Sequence, residues 1–213
     1  RPPQGKPLRL FVCGPTVYDE SHIGHGRTYL SFDILARHLK ERGIPLFYLQ
    51  NITDVDDKII ARAAKEGVPW KRIAARYTKR HLHAMRALGI RSVAKYAPAT
   101  RFIPEIIQQV ATLIAKGYGY EIIGDGIYFD VSRFPDYGAL SRRTAEQAED
   151  GVSRIDESIA KRNRADFCLW KFSKLGDPAW NFETGKYVGV SDGRPAFAKA
   201  STGKPGWHIE DTA

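Results

Sequence analysis

Only two cysteines, Cys13 and Cys168, stand in 213 residues, and no Cys-x-x-Cys pair occurs. A disulfide framework is thereby excluded, and a reducing, cytoplasmic setting is expected. No apolar run approaches the ~18 residues that a membrane-spanning helix needs, and no membrane partner is expected. No signal peptide and no internal repeat are visible. A phosphate-binding P-loop is missing as well. Ser201-Thr202-Gly203-Lys204-Pro205 carries the Gly-Lys pair. That motif also needs a glycine where Ala198 stands and a Ser or Thr where Pro205 stands. Anionic side chains are the minority: 33 Lys and Arg face 24 Asp and Glu, a net charge of +9. Such a balance suits a nucleic-acid partner, but it speaks of non-specific attraction rather than of fold.

The most informative stretch runs from Cys13 through Gly14, Pro15, Thr16, Val17, Tyr18 and Asp19 to His22, Ile23, Gly24, His25, Gly26 and Arg27. Leu8 to Val12 ahead of it reads as a short buried strand. Phe32, Leu35 and Leu39 behind it recur at helical spacing until Gly43. The block is thus a strand, a turn and a helix opening near His25 and covering roughly 26–42. In α/β sheets such a junction is where ligands bind. A helix start offers unpaired N–H groups to a phosphate. His22 and His25 can both face that anion, and Gly24 and Gly26 let it approach the backbone. Pro45 to Asn51 reads as a second strand, so strand, helix and strand form a parallel unit. Both strand ends then bring their motifs, including Thr53-Asp54-Val55-Asp56-Asp57, to one edge. The aspartates sit where a helix begins and its dipole favours carboxylates, so no metal is assigned to them.

His22-Ile23-Gly24-His25 after a strand resembles the signature of class I aminoacyl-tRNA synthetases. With Cys13 to Asp19 before it and Asn51 to Lys58 after it, the run is similar to the cysteinyl-tRNA synthetases. Asp166 to Lys171 and Gly206-Trp207-His208-Ile209-Glu210 continue the likeness in the same order. The fold implied is α/β: a Rossmann-like parallel-sheet nucleotide-binding domain interrupted by a smaller connective-peptide insertion. The activity implied is ATP-dependent activation of L-cysteine to the adenylate and its transfer to tRNA(Cys), by a monomer, with Mg²⁺ accompanying ATP. The resemblance makes His22 and His25 the catalytic pair and gives ATP the residues Gly14, His22, Gly24 and His25. It lines the cysteine subsite with Cys13, Thr53 and Trp207. It makes Cys13 a Zn²⁺ ligand. The family's second zinc cysteine corresponds to Asp211, and zinc accepts carboxylate oxygen. A zinc ion would select a substrate thiolate over serine's hydroxyl, which apolar contacts cannot do. A paralogous ligase joining cysteine to an amino sugar, and a non-catalytic RNA-binding relic, are the alternatives.

Further along, Ile59 to Glu66 is helical up to Gly67, and Pro69 opens a helix reaching about Leu88 and closed by Gly89. That helix carries Lys71, Arg72, Arg76, Lys79, Arg80 and Arg86, either a solvated face or an RNA contact. Pro104 opens another helix, ended by Gly117. Near Tyr118 the pattern changes to a β-hairpin around Gly124-Asp125-Gly126. Residues 1–117 read as the first half of the catalytic domain, 118–205 as the inserted module and 206–213 as the return to the second half. The Gly- and Pro-rich stretch 191–205 reads as an exposed, dispensable loop. Cys168 is expected to pack rather than to bind metal. The chain starts at Arg1 and lacks the family's Lys-Met-Ser-Lys-Ser loop, so it reads as a fragment, expected to be inactive alone.

Overall fold

The computed structural model describes residues 6–139, 142, 160–174, 176–188, 202–206 and 209. They form two compact units, Arg1–Arg101 and Phe102–Ala213.

The first unit holds strand β1 (Leu8–Val12), helix α1 (Ile23–Glu41), strand β2 (Leu46–Ile52), helices α2 (Asp57–Glu66) and α3 (Trp70–Ala87), and strand β3 (Lys95–Pro98). The sheet order is β1-β2-β3 and both pairings are parallel, with Val12 opposite Gln50 and Ile52 opposite Pro98. Parallel strands end at the same edge, so the chain leaves β1, β2 and β3 side by side. Gly43, Gly67 and Gly89, read as helix stops, all adopt positive φ, at 71°, 64° and 74°. A side chain would strain each of these positions. Two starts differ from the sequence reading. Helix α1 opens at Ile23, earlier than 26, because the two histidines themselves cap it. Pro69 is the N-cap of α3 rather than its first helical residue. Strand β3 carries no alternation that would announce it; its ladder with β2 makes it.

Tyr29, Ala36, Tyr48, Met85 and Ile90 form one core cluster, and Val17, Ile52, Ile59, Ile73 and Tyr77 another. Asp33 of α1 is fully buried. Its Oδ1 accepts the backbone N–H groups of Arg91 and Ser92 at 2.9 and 2.7 Å. Its Oδ2 lies 2.7 Å from Arg37 Nε. Burial pushes this carboxyl up, but the N–H groups of Ser92 and Arg91, with Arg37, outweigh it and hold the group below its usual range. Asp33→Ala should therefore cost about 3 kcal/mol at neutral pH, since it strands buried donors and a cation. The folded carboxyl binds its proton less tightly than the unfolded one. Its stabilisation is complete above the unfolded value of about 3.9 and is lost as pH falls through the lower folded value. Urea midpoints of wild type and variant should converge as the solution is acidified below that unfolded value; a gap that persists would count against this account.

The second unit begins with helix α4 (Ile103–Ala115). Strands β4 (Gly119–Ile122), β5 (Gly126–Phe129), β6 (Phe167–Phe172), β7 (Trp180–Asn181) and β8 (Thr202–Pro205) form a sheet of order β4-β5-β6-β8-β7. All its pairings are antiparallel. The compact unit starts before α4, which packs on β4, whereas the module read from the sequence starts after that helix. Asp166, wholly buried, accepts from Tyr120 Oη at 2.7 Å and from the N–H groups of Val131 and Asn163, each at 2.9 Å. This knot joins β4, the end of β5 and the approach to β6. Cys168 packs with Tyr120, Ile122 and Tyr128.

One expectation is overturned here. Residues 202–205 are not an exposed loop but strand β8, inserted between β6 and β7. Gly203, Lys204 and Pro205 are buried. The Lys204 ammonium is matched by Asp177 at 2.8 Å, and the glycine is demanded by Trp170. A Cβ on Gly203 would stand 2.2 Å from Trp170 Nε1 and 2.4 Å from Lys171 O. Small residues mark a close approach between strands here, not flexibility. Residues 191–201 lie outside the described residues.

Candidate active site

Beyond Val12 and Ile52 the backbones of β1 and β2 stay together. Thr53 N–H donates to Pro15 O at 3.1 Å, Val17 N–H donates to Thr53 O at 3.2 Å, and Thr16 bridges Thr53. Gly14 N–H donates to Asn51 Oδ1 at 2.5 Å. A Cβ on Gly14 would fall 1.7 Å from Asn51 O, a backbone atom that cannot yield. Gly14 thus lets the two strand exits touch. Cys13 is exposed after β1, and Thr53 is buried after β2. The exit of β3 is tied in through Asp54, whose Oδ1 accepts Thr100 N–H and whose Oδ2 accepts Thr100 Oγ1, at 2.9 and 2.6 Å. Asp56 is the N-cap of α2, accepting from Lys58 N–H at 2.7 Å, and Asp57 stands in its first turn. Asp56 and Asp57 thus stand at the helix start read from the sequence, whereas Asp54 is held by Thr100 instead.

The histidine pair is built into the start of α1. His22 is the N-cap, and its Nδ1 accepts Gly24 N–H at 3.1 Å. His25 Nδ1 accepts His22 N–H at 3.2 Å. The two imidazoles therefore make a reciprocal capping box, a task usually given to Ser or Thr with Glu or Gln. The ring centroids lie 3.9 Å apart. Because each Nδ1 accepts, each proton resides on Nε2. Desolvation, then the neighbouring His22, lowers the pKa of His25. The site thus presents Nε2–H donors at the positive end of a 19-residue helix.

Behind this pair stands a histidine that the sequence reading passed over. His81 of α3 is 2% exposed. Its Nδ1 lies 2.9 Å from Ser21 Oγ. Burial, then the nearby His25, lowers its pKa to about 4, so it is neutral. The signal was there: Ile73, Tyr77, His81 and Met85 recur every fourth residue, and His81 occupies a core position on an apolar stripe. The basic residues of the same helix are partly engaged. Arg76 pairs with Glu66 at 2.6 Å, and Arg80 pairs with Glu20.

Residues 1–213 match the family described as "tRNA synthetases class I (C) catalytic domain". The chain belongs to that family. It is 46% identical over 206 residues to a cysteine--tRNA ligase of Thermoplasma acidophilum, covering 97% of this chain and 42% of that protein. A cysteine--tRNA ligase of Pyrococcus furiosus is 41% identical over 210 residues, covering 96% of this chain and 40% of that protein. The chain thus spans about two-fifths of the length of these curated relatives. Among solved structures, the Mycobacterium tuberculosis methionyl-tRNA synthetase bound by methionyl-adenylate aligns with a TM-score of 0.60 at 13% identity. That alignment covers 97% of this chain and 46% of that one. At this identity the likeness speaks for fold, and the fold is the α/β class I catalytic domain read from the sequence.

Two assigned residues, Trp207 and Asp211, lie outside the described residues. Of the two zinc ligands assigned to this stretch, only Cys13 is therefore described. Among the described residues no three His, Cys, Asp or Glu side chains converge as a metal site would require. Cys13 is the one assigned zinc ligand among the described residues, and no step below runs through a metal.

Proposed function

We propose that this chain supplies the first part of the adenylation site of a cysteine--tRNA ligase. The supporting observation is the capped start of α1, which holds His22 and His25 by their Nδ1 atoms and leaves an Nε2–H donor on each ring. In the proposed reaction a carboxylate oxygen of cysteine attacks the α-phosphorus of ATP. The bond to pyrophosphate breaks, and pyrophosphate departs. Negative charge grows on the phosphate oxygens during this step. Donors already oriented there stabilise the transition state more than the ground state. The adenylate then passes its cysteinyl group to a hydroxyl at the 3′ end of tRNA(Cys), and AMP leaves. Gly14, His22, Gly24 and His25 belong to the ATP side in this reading, and Thr53 and Trp207 line the amino-acid side. Zinc, if the full-length enzyme carries it, takes Cys13 and Asp211 as ligands; metal analysis of that enzyme checks this.

The test is ATP–pyrophosphate exchange by the full-length enzyme with cysteine or serine, followed by charging of tRNA(Cys). Cysteine-dependent exchange about 10⁴-fold above serine is the expected result, on the scale that a site reading a polar group achieves. Equal exchange with both amino acids, or adenylation with no transfer to tRNA, would overturn the assignment.

A further inference from the structure

Three consecutive residues ahead of the histidine pair are each held by the helices behind them. Arg62 of α2 donates to Asp19 Oδ2 at 3.2 Å. Arg80 of α3 pairs with Glu20. His81 of α3 bonds Ser21. The first two contacts are largely open to water, so salt screens them and they hold the loop weakly. The third is shielded. The Nε2 of His81 is buried and has no hydrogen-bond partner among the described residues. An apolar side chain on this stripe would avoid that loss, so the bond to Ser21 is what the imidazole adds. The ring has a second contact. It meets Tyr29 edge-on, with centroids 5.5 Å apart. Tyr29 lies nearly parallel to His25, 6.2 Å away, and His25 touches His22. One buried side chain thus reaches the histidine pair along two routes: through the backbone at Ser21 and through the ring of Tyr29.

We propose that His81 is a positioning residue for His22 and His25, fixing the loop that enters His22 through Ser21 and the plane of His25 through Tyr29. It touches no substrate and acts through these neighbours. The kinetic part of the test rests on the adenylation reading above; the spectroscopic part does not.

Ser21→Ala, His81→Phe, His81→Asn and the Ser21→Ala/His81→Phe double variant of the full-length enzyme are compared with wild type. Phenylalanine keeps the edge on Tyr29 and loses the bond. Asparagine places an amide near the position of Nδ1 and keeps the bond. Single-turnover adenylation in Ser21→Ala and His81→Phe should fall roughly ten- to a hundredfold, the scale of a sub-ångström misplacement, with KM for ATP and cysteine little changed. The double variant should be no slower than the worse single variant, because both remove one interaction. His81→Asn should recover part of the rate. The Cε1–H resonances of His22 and His25 should shift in Ser21→Ala and His81→Phe. Wild-type rates in both variants, or lowered rates with unmoved His22 and His25 resonances, would overturn the proposal. Moved resonances in an enzyme whose wild type forms no adenylate would uphold the positioning role and defeat the adenylation reading instead.

Discussion

In the full-length enzyme, His22→Asn and His25→Gln should each slow adenylate formation by about 10²–10³-fold, some 3 kcal/mol, while α1 stays folded. The choice of replacements follows from the capping box. Each imidazole uses Nδ1 to hold a backbone N–H of its own helix and has Nε2 left for the reaction. Alanine would remove both functions together, and a lost cap alone costs about 1 kcal/mol. Asparagine is a favoured N-cap, and glutamine at the third helical position completes the box. These two substitutions keep the acceptor and discard the outward donor. Single-turnover adenylation measures the loss, and an unchanged urea midpoint shows that the helix start survives. A wild-type rate in either variant would remove that histidine from the reaction. A normal rate restored only by asparagine or glutamine, and not by alanine, would reduce the pair to helix caps.

Gly203→Val, or removal of residues 202–205, should unfold the second unit. The added side chain in Gly203→Val has no space. Its Cβ would overlap the ring of Trp170, itself fully buried, and the backbone carbonyl of Lys171. Overpacking costs of 1–3 kcal/mol assume that neighbours can shift. Here one neighbour is backbone in the central strand, so the cost should exceed about 4 kcal/mol, the range reserved for core failures. Excision acts differently. It takes out the strand that joins β6 to β7, leaves Asp177 without the Lys204 ammonium and opens the edge of β6 to other chains. Near-UV circular dichroism of the tryptophans and limited proteolysis report the outcome. A native tryptophan signal and an unchanged melting point in Gly203→Val would refute the packing, and a well-folded excision variant would restore the dispensable loop.

What the sequence by itself determined was local. Leu8 to Val12, the helical spacing of Phe32, Leu35 and Leu39, and the glycine stops Gly43, Gly67 and Gly89 depend on period and backbone freedom within one element. So the strand–helix–strand unit, the hairpin around Gly124 and the likeness of four motif blocks to one family were legible. Helix starts were less so, because a histidine capping box does not advertise itself as Ser or Asp does.

Only the tertiary structure decided what depends on a distant partner. Strand β3 exists because β2 lies beside it. Residues 202–205 read as a loop because glycine, lysine and proline are polar or turn-forming on their own. They form a buried strand because Trp170 leaves space for no larger residue than Gly203 and Asp177 neutralises Lys204. His81 was passed over among the basic residues of its helix. The fold turns it inward against Ser21 and Tyr29, where burial keeps it neutral. In each case the deciding quantity is the partner's distance and the water it excludes, and neither is written in the neighbouring residues.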